Sequence, residues 1–200
     1  MANVPLVTKG TGLISRLALR YSRRRFGRVV DPVAATAHHN GVLLAMGALE
    51  TVVERGWRRL DPELRWLVVQ SSAGDIGCSW CTDYGYFEGV ERGVDAAKVR
   101  AVARWRTSDV FDPRERAVLE YAEAVTKTPA TVPEELVERL HRYFNDAQIV
   151  ELAAWAALEN FRSRLNAALG LRSQGFSDSC ALPLPDDTAV GRPPAAVPSA

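Results

Sequence analysis

Lysine is scarce in this chain: of its 25 basic residues only Lys9, Lys98 and Lys127 are lysine, and the rest are arginine. Beside so many alanines, that excess reads as genomic compositional bias and not as a binding signal. Acidic residues number 24, so the net charge is +1 and gives no general drive toward nucleic acid or an anionic membrane. No uninterrupted apolar run approaches the roughly 20 residues that a membrane-spanning helix needs. The opening Met1-Ala2-Asn3-Val4-Pro5-Leu6-Val7 has neither the basic start nor the long apolar stretch of a secretory signal. A cytoplasmic, reducing compartment is the default reading. Cysteine is limited to three residues. A static disulfide framework is therefore not expected, and a reactive or metal-bound pair fits better. Convincing strand patterns are missing as well.

What the sequence has is helix punctuation, and an all-α domain of helical hairpins with short connections is predicted. Leu13, Ile14, Leu17, Ala18 and Tyr21 share one face of a short first helix that ends near Arg23-Arg24-Arg25-Phe26-Gly27. Asp31-Pro32 opens a segment through His38-His39, and Leu43, Leu44, Met46, Leu49, Val52 and Val53 then recur at helical spacing. Asp61-Pro62 is a cap followed by proline at the first helical position. Asp112-Pro113 repeats it, with Glu115 placed to complete a capping box. Thr131-Val132-Pro133 and Asn145-Asp146 start the last two helices. The final one is apolar nearly all round from Ile149 to Leu158, the pattern of a central buried element. The division expected is an N-terminal helical extension over residues 1–30, a helical domain over 31–176 and a flexible tail over 177–200.

The chemistry-bearing motif is Gly77-Cys78-Ser79-Trp80-Cys81. If it opens a helix, the two thiols share one face with β-carbons roughly 5–6 Å apart. A small relaxation brings them to disulfide geometry. Unpaired N–H groups and the positive dipole end at a helix start favour a thiolate, the form that attacks peroxides and disulfides. Inert reduced thiols are the bland alternative. Structural zinc needs four ligands, and a single Cys-x-x-Cys with His38 and His39 is a poor source of them. No metal or cofactor is expected.

The order of motifs is informative. Leu60-Asp61-Pro62-Glu63-Leu64-Arg65 precedes the cysteines. Glu120-Tyr121-Ala122-Glu123-Ala124-Val125-Thr126 and Ile149-Val150-Glu151-Leu152 follow, and Glu159-Asn160-Phe161-Arg162-Ser163-Arg164-Leu165-Asn166 closes the series. Over roughly residues 30–175 the chain resembles the carboxymuconolactone decarboxylase-like family, in its alkyl hydroperoxidase D-like branch. The resemblance implies an all-α fold, assembly into trimers or hexamers, and thiol-dependent reduction of a hydroperoxide or disulfide with a protein or small-thiol reductant. It also implies that Cys81 attacks the peroxide and Cys78 resolves the sulfenic acid, whereas the dipole alone favours Cys78 as the stronger acid.

The departures from the family pattern matter more. Its members have a glutamate twelve residues before the first cysteine and a histidine four after the second, where this chain has Trp66 and Gly85. Neither can titrate, yet turnover needs a proton donor for the leaving oxygen. Glu88 lies on the Cys81 face two turns along, while Asp83 and Tyr84 point elsewhere on a regular helix. His38, His39 and the set Glu159, Arg162 and Asn166 are further candidates for a relay or pocket. Each has a structural alternative: helix-end packing for the histidines, a buried hydrogen-bonded cluster for the set. Trp80 either shields the thiols or stacks on substrate. The run Arg23-Arg24-Arg25 with Arg28 reads as a solvated helix end, and Cys180 as incidental. Two alternatives to the peroxidase stand. One is a lyase or decarboxylase on a small carboxylated ring, with Arg162 holding the carboxylate and the cysteines as bystanders. The other is a non-catalytic thiol redox sensor.

Overall fold

Helix boundaries follow the caps written in the sequence. The computed structural model describes residues 2–179, so Cys180 and most of the expected tail lie outside the described residues. The helices are α1 (Leu13–Phe26), α2 (Asp31–Thr36), α3 (Asn40–Gly56), α4 (Pro62–Ile76), α5 (Ser79–Glu91), α6 (Ala96–Ala101), α7 (Pro113–Thr126), α8 (Glu134–His141) and α9 (Asp146–Ala168). Two 3-10 turns, Val102–Thr107 and Ser177–Ser179, complete them, and no strand occurs among the described residues. Asp61 caps α4, and Asp112 with Glu115 and Asn145 with Gln148 form capping boxes at α7 and α9. No helix among the described residues is long and apolar enough to cross a membrane.

The central element is α4, not α9. α4 packs against α5, α7 and α9, and Leu64, Trp66, Leu67, Val68, Gln70, Ser71, Ser72 and Ala73 are all buried. Its three polar side chains hide this role from a hydropathy pattern. α9 buries Leu152, Trp155 and Ala156 against that core but leaves Val150 68% and Phe161 48% exposed. The all-round apolar character expected to bury α9 is therefore spent on one side only; its other side is open surface. α3 is more open still. It packs on α1 and α2, buries only Leu43 and Val53, and exposes Val42, Leu44, Leu49 and Val52.

The first helix is turned over relative to its sequence pattern. Ser15, Leu19 and Ser22 face inward, whereas Leu13, Leu17 and Tyr21 are exposed. Hydrogen bonding decides this. Ser15 closes the Gly12 turn, and the Ser22 hydroxyl donates to the Arg28 carbonyl while accepting from the Val30 amide. These small polar groups must be buried to close the turns on either side of α1. The expected extension is stitched to the rest: Asn3 donates to the carbonyls of Ala168 and Leu169, and Val7 to that of Ala34. At the other expected boundary Ser177 is buried within its 3-10 turn.

Candidate functional site

Gly77 makes the site. It ends α4 in the left-handed conformation (φ 78°), donating its amide to Ala73 and Gly74, and the Cys78 amide also returns to Ala73. The chain reverses there, and Cys78 becomes the N-cap of α5 with its sulfur accepting from the Cys81 amide at 3.3 Å. Cys78 and Cys81 are joined as a disulfide, their Cα atoms 5.3 Å apart. The spacing argument for two sulfurs on one face of a first turn thus has its geometric counterpart.

The pair does not sit at an open mouth. Cys78 is 3% and Cys81 8% exposed, packed with Ala73 under the partly buried Trp80. Two surface clefts, one beside Arg100 and Arg104 and one between Asp61 and Asp112, have no cysteine in their walls. The surroundings are nonetheless not pure hydrocarbon. Asn166 of α9, itself buried, points its amide N–H at the Cys81 sulfur from 3.3 Å. Among the described residues no group of three His, Cys, Asp or Glu side chains is arranged to hold a metal.

Glu159, Ser163 and Asn166 form one buried stripe along α9, ending at the sulfur. The Ser163 hydroxyl donates to Glu159 at 2.6 Å, and Arg162 approaches the other Glu159 oxygen at 3.5 Å. The Arg162 fork itself is taken by both oxygens of Glu50 on α3. Complete burial pushes the Glu159 carboxyl up to about 7, against the opposing pull of Arg162 and Ser163. A carboxyl so raised favours the fold while protonated, and that contribution is lost as pH rises from the ordinary carboxylate range through about 7. Urea unfolding of Glu159→Gln is therefore expected to show a flatter stability profile between pH 5 and pH 8. The variant gains on the order of 2 kcal/mol over the parent at the upper end; parallel profiles for the two proteins would contradict the assignment.

The other expected residues lie elsewhere. Glu88 is engaged with Arg92 at 2.7 Å, and Arg92 also reaches Glu54. His38 and His39 are exposed at the α2–α3 junction. The first bonds the Pro5 carbonyl and the second caps α3 by accepting from the Val42 amide. These are helix-end roles, and no hydrogen bond of theirs reaches the sulfurs.

The two positions that depart from the family pattern are fitted to each other. Trp66 donates its indole N–H to the Gly85 carbonyl at 2.7 Å. A β-carbon on Gly89 would lie 2.6 Å from the Trp66 ring, and one on Gly85 would collide with the Gln70 amide. Gln70 thus fills the room of a side chain at position 85, on the face that Cys81 shares. Its Nε2 donates to the Thr82 carbonyl, and its buried Oε1 has no hydrogen-bond partner among the described residues. Reading the sequence alone missed Gln70. The usable signal was a pair of glycines four apart on α5 facing a Trp and a Gln four apart on α4, the mark of two backbones in close approach.

Asp83 was also missed as a structural anchor. From the far side of α5 its carboxylate accepts the amides of Gln174, Phe176 and Ser177 at 2.8–3.0 Å and the Ser177 hydroxyl at 2.7 Å. Burial pushes this carboxyl up, but the Ser177 and Phe176 donors outweigh it and hold it below the usual range. The segment so pinned carries Gln174, whose side-chain oxygen accepts the Trp80 indole N–H at 2.8 Å. Trp80 stacks on Tyr84, and Phe176 packs edge-on against both. The ring over the disulfide is thereby held from the C-terminal segment.

The carboxymuconolactone decarboxylase family model matches residues 35–124. The Escherichia coli protein YnjA, itself uncharacterized, is 34% identical over 171 residues, covering 86% of this chain and 92% of YnjA. The debrominase Bmp8 superposes with a TM-score of 0.76 at 24% identity, over 87% of this chain and 93% of Bmp8. A peroxidase-related protein of Ralstonia eutropha with an alkylhydroperoxidase AhpD core superposes at 0.72 and 20% identity, over 86% and 95% of the two chains. At those identities the structures speak for the fold alone, which is the AhpD-like all-α one. With YnjA matched almost from end to end, this chain belongs to the carboxymuconolactone decarboxylase family.

Proposed function

We propose that this protein is a thiol-dependent oxidoreductase that reduces hydroperoxides or disulfides by cycling Cys78 and Cys81 between dithiol and disulfide. The observation that carries the reading is the bonded pair spanning the first turn of α5, with the Asn166 amide on one of its sulfurs. An N–H donated to sulfur stabilises thiolate over thiol; Asn166 gives one to Cys81 as the Cys81 amide gives one to Cys78, and the attacking role is assigned to Cys81 on the family order. The Cys81 thiolate attacks the terminal peroxide oxygen and the O–O bond breaks. An alkoxide leaves and takes a proton to become the alcohol. The Cys78 thiol then displaces water from the Cys81 sulfenic acid, forming the disulfide, and two equivalents of an external thiol restore the pair.

The proton comes from Glu159 in this reading. It lies two turns from Asn166, roughly 10 Å along the helix, holds its proton near neutrality, and is bonded to Ser163 on the way. Gln70 offers its buried amide oxygen, without a partner among the described residues, to an O–H group on the Cys81 side of α5. Access to the sulfurs requires Trp80 to move from its seat on Gln174.

Asn166→Leu tests the assignment. Iodoacetamide alkylation of the reduced variant below pH 7 is expected to slow about fivefold to tenfold. An unchanged alkylation profile would remove Asn166 from the site and return the attacking role to Cys78, which caps the helix.

A second reading keeps the sulfurs and changes the electrophile. A cysteine-to-alanine variant of Bmp8 was solved with 2,3,4-tribromopyrrole, and here Trp80, Tyr84, Phe87 and Phe176 form an aromatic cluster beside the pair. A halogenated aromatic reduced at carbon would use the same two thiols, and release of bromide from that pyrrole measures it directly. Arg162 is engaged with Glu50, which weighs against its holding a substrate carboxylate in a lyase. The open apolar faces of α3 and α9 support a homo-oligomer in which a second copy covers Val42, Leu49, Val52, Val150 and Phe161.

A further inference from the structure

The near-zero net charge hides a segregation that the fold creates on α1. The stretch from Leu13 to Arg28 contains Arg16, Arg20, Arg23, Arg24, Arg25 and Arg28 and no acidic residue. All six arginines are exposed. Because Ser15, Leu19 and Ser22 take the inner side, Leu13, Leu17 and Tyr21 stand outward at 66%, 57% and 66% exposure. Four-residue steps keep Leu13, Leu17 and Tyr21 on one line and Arg16, Arg20 and Arg24 on the next, both within the solvent arc. At the flanks Arg23 donates to the Thr8 carbonyl and Arg28 to that of Gln174, while Arg25 lies over Phe26. The side chains of Arg16, Arg20 and Arg24 in the middle form no ion pair or hydrogen bond among the described residues.

We propose that α1 is a docking surface for an anionic lipid bilayer. Its leucine–tyrosine line enters the headgroup boundary and its arginine line holds lipid phosphates, long stems along the apolar surface and charged ends in water. The surface is a convex helix, and neither of the two clefts described above is lined by it. A bilayer accepts that shape, whereas a peptide partner needs a cleft. Nucleic acid would engage the arginines and leave Leu13, Leu17 and Tyr21 uncovered. A symmetric contact with a second copy would bring two arginine lines toward each other, a repulsion absent from the sparsely charged open face of α3. The proposal stands apart from the sulfur chemistry, because it is read without turnover.

Full-length protein is sedimented with vesicles of phosphatidylcholine, alone or mixed with phosphatidylglycerol. It is expected to pellet with the anionic vesicles, to be released by high salt and to ignore the neutral ones. Removing three charges in Arg16→Gln/Arg20→Gln/Arg24→Gln is expected to lower the partition about a hundredfold. Leu17→Ser/Tyr21→Ser is expected to lower it about tenfold while keeping the salt dependence. These side chains are exposed, so both variants retain the packed side of α1. Wild-type protein left in the supernatant, equal pelleting with neutral vesicles, or wild-type behaviour of the triple variant each overturns the proposal. So does a drop in particle mass of Leu17→Ser/Tyr21→Ser by light scattering, which would assign the face to a second copy.

Discussion

Cys81→Ser is expected to abolish reduction of cumene hydroperoxide, lowering kcat/KM at least about a thousandfold with dithiothreitol as reductant. A serine hydroxyl at neutral pH is not a nucleophile toward a peroxide, and the side chain bonded to position 81 is the Asn166 amide, which is not a base. Cys78→Ser is expected to behave differently. One peroxide equivalent still oxidises Cys81, which stops at the sulfenic acid or passes to a mixed disulfide, while steady turnover falls steeply. Thiol titration and intact mass after one equivalent of peroxide distinguish the two. Wild-type protein loses two thiols, Cys78→Ser gains an oxygen or an adduct, and Cys81→Ser is unchanged. Retention of most activity in both variants would sink the proposed function. An oxidisable pair without turnover would instead describe a redox sensor.

Asp83→Ala is expected to cost about 3–5 kcal/mol, because three backbone amides and a hydroxyl lose a buried anionic acceptor at once. For a chain of this size that is a fall of roughly 10 °C in Tm. The released segment also frees Gln174 from Trp80, so reduction of the disulfide by dithiothreitol is expected to speed up about tenfold. Acid has the same effect on the parent. A carboxyl held low in the fold contributes stability above its ordinary titration range, and that contribution disappears as pH falls through the depressed folded value. The loss therefore belongs below about pH 4, and Asp83→Asn should lack it. A variant with unaltered Tm and unaltered reduction rate would mean that the C-terminal segment does not hold Trp80 over the sulfurs.

The helix-start signals were legible because they are local. Asp61-Pro62, Asp112-Pro113 with Glu115, and Asn145 with Gln148 each satisfy amides within three residues of themselves, so neighbours in sequence suffice to see them. The cysteine pair was legible for the same reason, its separation being fixed by one helical turn. Asn166, 85 residues from Cys81, emerged only as part of a polar patch on α9. Its contact with sulfur depends on how α9 crosses α5. Glu88 and the histidines were placed near the chemistry by sequence proximity or residue type, and ion pairing and capping take them elsewhere.

Faces were the less legible quantity. α1 and α9 each present an apolar pattern that identifies an amphipathic or buried helix, and in both the outward side carries large apolar groups. Hydropathy records which side chains avoid water, not what covers them. α4 shows the converse, with Gln70, Ser71 and Ser72 buried in the middle of the core.

By itself the sequence determined an all-helical chain, its turn points, and two thiols within reach of each other, since caps and one-turn spacings act over a few residues. Tertiary structure alone decided that Trp66 and Gln70 fill the space beside Gly85 and Gly89, that Asn166 addresses Cys81, and that Asp83 ties a distant segment across the site. Those outcomes rest on helix crossings and on contacts between residues as much as 94 positions apart, which no local pattern encodes.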